Sequence, residues 1–217
     1  MQEQKTCPDF LIEDSCQNLL VAGIDEAGRG PLAGPVVAAC VILDRKNYPL
    51  EINDSKKLSA KIRQKIFLKL KENSRFGIGI VDAQKIDEIN ILQATKLAMF
   101  LAYEDLCEKY SIKPQALLID GNMKPFEICD QIKQILPIVK GDQKSLSIAA
   151  ASIVAKETRD EIMRDLHQKF PQYAWDKNAA YPTKLHVERI MEFGICEFHR
   201  RTFEPIKSLV NENNTRK

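Results

Sequence analysis

Two adjacent acids give the first indication of chemistry in this chain of 217 residues. Asp25 and Glu26 lie in residues 19–43, an apolar stretch whose only other charged side chain is that of Arg29. An unpaired carboxylate is costly to bury, so carboxylates at the end of a buried strand need a cation. A divalent metal ion would meet that need, because such ions bind carboxylate oxygens. The pair therefore predicts part of a metal site.

Two further acids follow apolar strands in the same way. Asp120 ends the run ALLID, and Asp142 follows the run ILPIV and the pair Lys140-Gly141. If these strands are neighbours in one sheet, their ends bring the acids together at the edge where α/β sheets collect ligands. Ligand sets made only of oxygens favour Mg²⁺ or Mn²⁺. Two such ions about 3.5–4 Å apart are a known device for phosphodiester displacement.

One geometric difficulty concerns the adjacent acids. Successive side chains of a strand point to opposite faces, so Asp25 and Glu26 cannot both face one ion from a regular strand. We therefore expect the strand to end or twist at Glu26, which the following glycines permit. The alternative is that Glu26 is solvated and Asp25 only caps a turn.

The loop Gly28-Arg29-Gly30 follows the acids directly and exposes backbone N–H and C=O groups to a ligand; by itself such a loop is also an ordinary tight turn. Other residues could contact phosphate or bases, although any single basic one is better explained as a solvated surface charge and core packing explains the aromatic ones equally well. Within that group, Lys156 and Arg159 share one helix face and could contact a phosphate backbone. The basic residues are Lys56, Lys57, Lys140, Lys144, Lys156 and Arg159, and the aromatic ones are Tyr173, Trp175 and Tyr181.

The hydrophobic pattern predicts the elements that position these residues. Strands are expected over residues 19–25, 36–43, 76–81, 116–119 and 135–139. Helices are expected over residues 60–72, 91–110 and 145–170, with short helices over 183–193 and 205–210. Strands mixed with helices, and an early hairpin, indicate an α/β domain with a mixed sheet. We expect a loose leader over residues 1–17, a catalytic domain over 18–170 and a helical C-terminal extension over 171–217 packed on that domain.

Composition excludes several classes of protein. With 44% hydrophobic and 29% charged residues the chain is typical of a globular domain. Its formal charge of +2 gives no overall basic field, so contact with nucleic acid requires a local patch. None of the six cysteines forms a CxxC pair, which favours reduced thiols and a cytoplasmic protein. Because no stretch predicts a signal peptide or a membrane span, we expect no membrane association, and we expect a monomer.

Taken together, several segments resemble the ribonuclease HII family, the type 2 ribonucleases H. The matches occur in the family's order over most of residues 19–206, and the first and fifth are long enough to make chance improbable. In order they are GIDEAGRGPLAGPVVAA, DSKKLS, IDGN, KGD, SIAAASIVAKETRD and, more weakly, TKLH with HRRTFEPI.

This resemblance implies a ribonuclease H-like fold, a five-stranded mixed sheet flanked by helices with a helical C-terminal part. It implies cleavage of RNA in RNA–DNA hybrids and nicking at single ribonucleotides in duplex DNA, leaving 5′-phosphate and 3′-hydroxyl ends. By matching motifs, two divalent ions, Mn²⁺ or Mg²⁺, would be carried by Asp25, Glu26, Asp120 and Asp142. The implied substrate-binding residues are Gly28, Arg29 and Gly30 at the 2′-hydroxyl, Tyr181 at the sugar of the junction, and Lys56 and Lys57.

The segment around Tyr181 departs from the family pattern. The family usually has Lys-Gly-Tyr-Gly-Thr, whereas this chain has Ala179-Ala180-Tyr181-Pro182-Thr183. Two glycines are lost and a proline is gained, which stiffens the loop. Two rival functions remain: a nuclease or recombinase of the same fold that acts on DNA only, and a non-catalytic hybrid- or nucleotide-binding module.

Overall fold

The computed structural model describes residues 7–125 and 131–215, and the side chains within them up to residue 210. Residues 1–6 of the expected leader and residues 216–217 of the expected C-terminal extension lie outside the described residues. The strands are β1 (Val21–Ala27), β2 (Val36–Leu43), β3 (Ser74–Val81), β4 (Ala116–Asp120) and β5 (Gln134–Ile138). The helices are α1 (Leu11–Ser15), α2 (Ala60–Asn73), α3 (Ala83–Tyr110), α4 (Leu146–Lys169), α5 (Trp175–Asn178), α6 (Lys184–Phe193) and α7 (Ile206–Thr215).

The five strands form one mixed sheet in the order β3-β2-β1-β4-β5. Strands β1, β2 and β3 are antiparallel neighbours, whereas β4 pairs in parallel with β1 and β5 pairs in parallel with β4. The predicted five-stranded mixed sheet is confirmed. Pro137, which cannot donate a ladder hydrogen bond, lies in the edge strand β5, as expected for a strand proline.

Helices cover both faces of the sheet. Side chains of α3 pack with Ala22, Ile24 and Ala38 on one face, and α2 and α4 pack with Ala39 and Val41 on the other. The alternation of the strands thus sends even-numbered residues of β1 toward α3 and odd-numbered ones toward α4.

Glycines allow both helices to approach the sheet closely. A Cβ atom at Gly79 of β3 would lie 1.9 Å from the Ala98 carbonyl oxygen of α3. A Cβ atom at Gly23 of β1 would lie 2.2 Å from the Ser147 carbonyl carbon of α4. Glycines of β3 and β1 thus mark the places where a helix packs closely on the sheet. The contact between α4 and β1 matters most, because it places α4 beside the strand that carries Asp25.

Helix α3 begins earlier than the predicted residue 91. It includes a first segment from Ala83, capped by the Asp82 carboxylate, which accepts from the Lys85 backbone N–H at 2.7 Å. Asn90 interrupts the helix with a φ of 66°. Its side chain accepts from the backbone N–H groups of Leu92 and Gln93, so it caps the segment that periodicity had indicated.

The N-terminal segment, expected to be a loose leader, contains a short helix, because residues Leu11–Ser15 form α1. Buried Glu13 accepts from the Ser145 hydroxyl at 2.6 Å and from the Ser147 backbone N–H at 3.0 Å. A carboxylate at the N-terminus of α4 is favourable because that end of a helix carries partial positive charge. The interaction joins residues far apart in sequence, so local periodicity gives no sign of it.

Among the helices within the described ranges, none combines the length and apolar character that a bilayer span requires. The five cysteines in those ranges, at positions 7, 16, 40, 107 and 196, are all free thiols.

Candidate active site

The four acids singled out by sequence lie at one edge of the sheet, which we call the acidic edge (Asp25, Glu26, Asp120 and Asp142). Asp25 and Glu26 belong to β1, and Asp120 is the last residue of the neighbouring parallel strand β4. Asp142 lies in a 3₁₀ turn directly after β5. Since β1, β4 and β5 are parallel neighbours, their carboxyl ends meet at this edge, and residues 95 and more apart in sequence become neighbours.

Strand β1 does not end at Glu26, contrary to our expectation. It continues to Ala27, and Asp25 and Glu26 pair in register with Ala39 and Ala38 of β2. Asp25 therefore shares the α4 face of the sheet, whereas Glu26 emerges on the α3 face. The two side chains approach the same site from opposite sides of the strand.

Mutual repulsion and burial raise the pKa values of three of these acids. Burial, then the charges of Glu26, Asp120 and Asp142, hold the pKa of Asp25 well above its usual range. Burial also raises the pKa of Glu26, and Arg29 partly offsets that increase. Burial together with the Asp120 and Asp54 carboxylates raises the pKa of Asp142 to about 6. Such a set of anions would be stabilised by an added cation.

Each acid of β1 and β4 has a protein partner in this structure. Asp25 accepts from the Glu26 backbone N–H and Asp120 from the Gly141 backbone N–H, each at 2.7 Å. Glu26 lies 3.4 Å from the Arg29 guanidinium. Within residues 7–125 and 131–215, no group of three or more acids, histidines or cysteines is arranged as a set of metal ligands. The oxygen donors suit Mg²⁺ or Mn²⁺ in chemistry and location, and their side chains would have to turn to bind one.

A cavity of about 300 Å³ opens beside the acidic edge. Asp25, Glu26 and Asp120 line it, whereas Asp142, buried beyond Asp120, is not among its described lining residues. The remaining lining residues are Ala27, Gly28, Arg29, Gly30, Ser55, Lys56, Arg63, Ser152, Lys156, Arg159 and Tyr181. A larger cavity of about 640 Å³ lies elsewhere, beside Arg45 and Tyr110, and none of the predicted site residues lines it.

The glycine loop (residues 28–30) and Tyr181 form one side of the smaller cavity. A Cβ atom at Gly30 would lie 3.7 Å from Tyr181 Cε1, and Tyr181 is 45% exposed. Tyr181 is thus available to a ligand, whereas the other two aromatic residues of its sequence cluster are not. Tyr173 and Trp175 are buried and stacked on one another at 5.0 Å.

Lys56 borders the cavity, and Lys57, although exposed, is not among its described lining residues. The turn that presents Lys56 is held by Asp54, a buried acid that sequence reasoning did not single out. Asp54 accepts from the Lys56 backbone N–H at 2.9 Å and from the Gln143 side-chain amide at 3.2 Å. It therefore joins the lysine turn to the turn that carries Asp142. The sequence signals were its place before Ser-Lys-Lys and its position as the first residue of the DSKKLS match.

The shared helix face of Lys156 and Arg159 does not present two free cations. Lys156 pairs with Asp160 at 2.5 Å. Arg159 is 1% exposed and donates to the backbone carbonyls of Ala33, Pro35 and Ala179. The interpretation of Arg159 as a phosphate contact is therefore wrong, because the side chain is buried and each of its three nitrogens donates to a carbonyl within the protein.

The loop before Tyr181 adopts a left-handed conformation at two alanines, and one of them, Ala180, stands where the family usually has glycine. Ala179 and Ala180 have φ values of 46° and 64°, in the left-handed region that L-residues with a Cβ atom disfavour. Their carbonyls accept from Arg159 Nη1 at 3.2 Å and from the Leu32 N–H at 2.7 Å. These bonds hold the strained loop against the segment that follows the glycine loop.

Known proteins share this architecture and sequence. The sequence model of the family described as Ribonuclease HII matches residues 22–206. The Ribonuclease HII of Rickettsia bellii is 50% identical over 191 residues, which cover 88% of this chain and 93% of that protein. The Ribonuclease HII of Desulfotalea psychrophila is also 50% identical, over 94% of this chain and 90% of that protein.

Solved structures give the same result. The ribonuclease H2 of Pyrococcus horikoshii OT3 superposes with a TM-score of 0.70 at 30% identity, covering 91% of this chain and 99% of that one. A Bst-RNase HIII in complex with Mn²⁺ has a TM-score of 0.72 at 21% identity, covering 94% of this chain and 73% of that one, and supports the fold alone. The chain belongs to the ribonuclease HII family and is a ribonuclease H enzyme.

Proposed function

We propose that this enzyme hydrolyses the RNA strand of RNA–DNA hybrids and nicks duplex DNA 5′ of single embedded ribonucleotides, leaving 5′-phosphate and 3′-hydroxyl ends. The observation that carries the proposal is the cavity where three carboxylates meet the glycine loop. Carboxylates suit divalent ions, and backbone groups of a glycine loop suit a ribose hydroxyl, the group that distinguishes RNA from DNA. A site of this kind combines cleavage with a choice of sugar.

In this proposal Asp25, Glu26, Asp120 and Asp142 hold two divalent ions, Mg²⁺ or Mn²⁺. When bound, the ions supply an activated water and stabilise the leaving oxygen. The carboxylates have no separate role as proton shuttles. Family membership and the oxygen-only donors of the acidic edge support the use of divalent metal.

The glycine loop, Tyr181 and two lysines orient the substrate. Gly28, Arg29 and Gly30 contact the 2′-hydroxyl next to the scissile phosphate, and Tyr181 packs on the adjacent sugar. Lys56 contacts the phosphate backbone from the opposite side of the acids, and Lys57, outside the cavity, contacts it further along. The enzyme acts as a cytoplasmic monomer in ribonucleotide excision repair and DNA replication.

Cleavage of a labelled duplex with one ribonucleotide tests the proposal, with an all-DNA duplex and a continuous RNA–DNA hybrid beside it. We expect cutting of the first and third substrates, dependence on added Mg²⁺ or Mn²⁺, and loss of cutting in chelator. Cutting of the all-DNA duplex at a similar rate would favour the DNA nuclease instead. Binding that is insensitive to chelator, with no cutting of any substrate, would favour the binding module.

A further inference from the structure

Arg200 is a fully buried arginine whose three side-chain nitrogens all donate to backbone carbonyls around the glycine loop. Its relative exposure is 0%. Nη2 donates to Gly28 O at 2.6 Å and to Gly34 O at 2.9 Å, Nη1 donates to Arg29 O at 3.0 Å, and Nε donates to Gly34 O at 3.0 Å. One planar side chain thereby binds both ends of the turn that contains the glycine loop.

The segment around Arg200 also pairs with this turn through its backbone. The Arg200 N–H donates to Leu32 O at 2.8 Å, and the Gly34 N–H donates to Phe198 O at 2.9 Å. The Phe203 ring lies 5.0 Å from the Arg200 guanidinium carbon and stacks on it. Burial and the nearby Arg159 lower the pKa of Arg200 to about 9, so the guanidinium stays charged at neutral pH and its hydrogen bonds are charge-assisted.

These hydrogen bonds fix the direction of two peptide planes. In a trans peptide the C=O of one residue and the N–H of the next point in opposite directions. Arg200 binds the carbonyls of Gly28 and Arg29 from the protein interior, so the N–H groups of Arg29 and Gly30 point away from it. Among the described hydrogen bonds, neither of these two N–H groups donates to an acceptor in the protein. Both belong to residues that line the cavity beside the acidic edge.

We infer that Arg200 is a positioning residue that turns the Arg29 and Gly30 N–H groups toward the ribose 2′-hydroxyl of the substrate. The inference rests on the proposed function, since it assigns Arg200 to the choice of ribonucleotide. Arg200 itself contacts no substrate, because its side chain is fully buried. The guanidinium is needed rather than any cation, because a lysine ammonium cannot span carbonyls of three residues in fixed geometry.

The test compares the wild-type enzyme with Arg200→Lys on two labelled duplexes of one sequence, all-DNA or with a single ribonucleotide. Binding is measured by fluorescence anisotropy in chelator, and single-turnover cleavage is measured with Mn²⁺. We expect the variant to bind the all-DNA duplex within about twofold of wild type, while its preference for the ribonucleotide duplex falls to about one. Cleavage should fall on the order of 100-fold, as expected for a misplacement near the reacting group.

Leu106→Ala is the matched control for lost stability. Leu106 is buried against the far strand β3, away from the cavity, so this variant should unfold at lower temperature and keep the wild-type preference. Should Arg200→Lys fail to fold, Phe203→Leu removes the stacking ring and keeps the guanidinium, and we expect a partial loss of preference.

The outcomes separate this inference from the proposed function. If the wild-type enzyme does not cut the ribonucleotide duplex, both are overturned. If it cuts and prefers that duplex, and the folded Arg200 or Phe203 variant keeps the full preference, only the role of Arg200 is overturned. A wild-type enzyme that cuts but binds both duplexes equally would also remove the role of Arg200 and leave the cleavage activity standing.

Discussion

The acidic edge and the arginine pair (Arg159 and Arg200) bury charge next to the same cavity in opposite ways. Asp25 and Asp142 are each 6% exposed and lie among other carboxylates, and the pKa of each is raised. The arginine pair is at least as buried, yet its guanidinium groups donate to backbone carbonyls of five residues near the cavity and to Ala179.

The difference is one of satisfied and unsatisfied charge. Buried carboxylates without a cation lower the stability of the folded protein, and a bound cation restores it, which suits a binding site. Buried guanidinium groups whose nitrogens all donate to carbonyls stabilise the native loop and are shielded from a ligand. Within one site, the first region should therefore control activity and the second should control stability and loop shape.

Asp120→Asn gives the largest expected effect and tests the first half of this comparison. The amide keeps the oxygen that accepts from Gly141 N–H but removes the charge needed for a divalent ion. We expect cleavage to fall on the order of 10³-fold or more, while the unfolding temperature stays within a few degrees of wild type. Cleavage of the ribonucleotide duplex and thermal unfolding measure the two quantities.

The matched control is Asp105→Asn, since Asp105 also accepts one backbone N–H, that of Ile78 at 2.8 Å, on the other side of the sheet. This variant should keep wild-type cleavage. Normal cutting by Asp120→Asn would remove that acid from the mechanism and with it the contrast between the two regions.

Arg159→Met tests whether the arginine pair controls the stability of the protein. The thioether side chain fills similar space and leaves the carbonyls of Ala33, Pro35 and Ala179 without their donor. We expect the free energy of unfolding to fall by about 3 kcal/mol, since each orphaned buried acceptor costs about 1–3 kcal/mol. Urea unfolding measures the loss. A variant as stable as wild type would show that the arginine hydrogen bonds contribute no net stability.

Asp142→Asn tests whether the acidic edge loses stability when it has no cation. The pKa of Asp142 is raised to about 6 in the native state, so the native protein binds more protons than the unfolded chain between about pH 4 and pH 6. Protonation of Asp142 therefore stabilises the native state, and that stabilisation is lost as the pH rises through this window. In chelator, the variant should equal wild type near pH 4 and exceed it by about 2 kcal/mol at pH 7.5.

Added Mn²⁺ should then raise the unfolding temperature of wild type at pH 7.5 more than that of Asp142→Asn. Thermal unfolding across pH, with and without the ion, provides the measurement. A constant difference between the two proteins from pH 4 to pH 7.5 would contradict the raised pKa.

Ala179→Gly gives the smallest expected effect and concerns the loop bound by Arg159. Glycine relieves the left-handed φ of 46°, worth about 1–2 kcal/mol, and costs about 0.5–1 kcal/mol in chain entropy. We expect a gain of about 0.5 kcal/mol in the free energy of unfolding. Ala150→Gly, in the second turn of α4, is the control and should lose about 1 kcal/mol. A loss in both variants would show that Ala179 is not strained.

Local pattern predicted most of the elements and the edge where the acids meet. Alternation and apolar runs predicted all five strands within a few residues. The helix predicted from residue 60 begins there in the structure, where the Ser59 hydroxyl caps it by accepting from the Ile62 N–H at 3.4 Å. Local sequence pattern gave a wrong interpretation where contacts from distant segments decide the environment of a side chain. Arg159 looked like a surface cation because the carbonyls that bind it come from residues 33, 35 and 179.

By itself, the sequence determined the succession of strands and helices along the chain, the choice of the four acids as candidate site residues, and the family. Those follow from residue type and spacing, which are properties of short segments. Only the tertiary structure decided that Asp25 and Glu26 reach the cavity from opposite faces, that Asp54 joins two turns, and that Arg200 orients the glycine loop. Each of these depends on contacts between segments far apart in the chain, whose distances become fixed only when the sheet and its helices have packed.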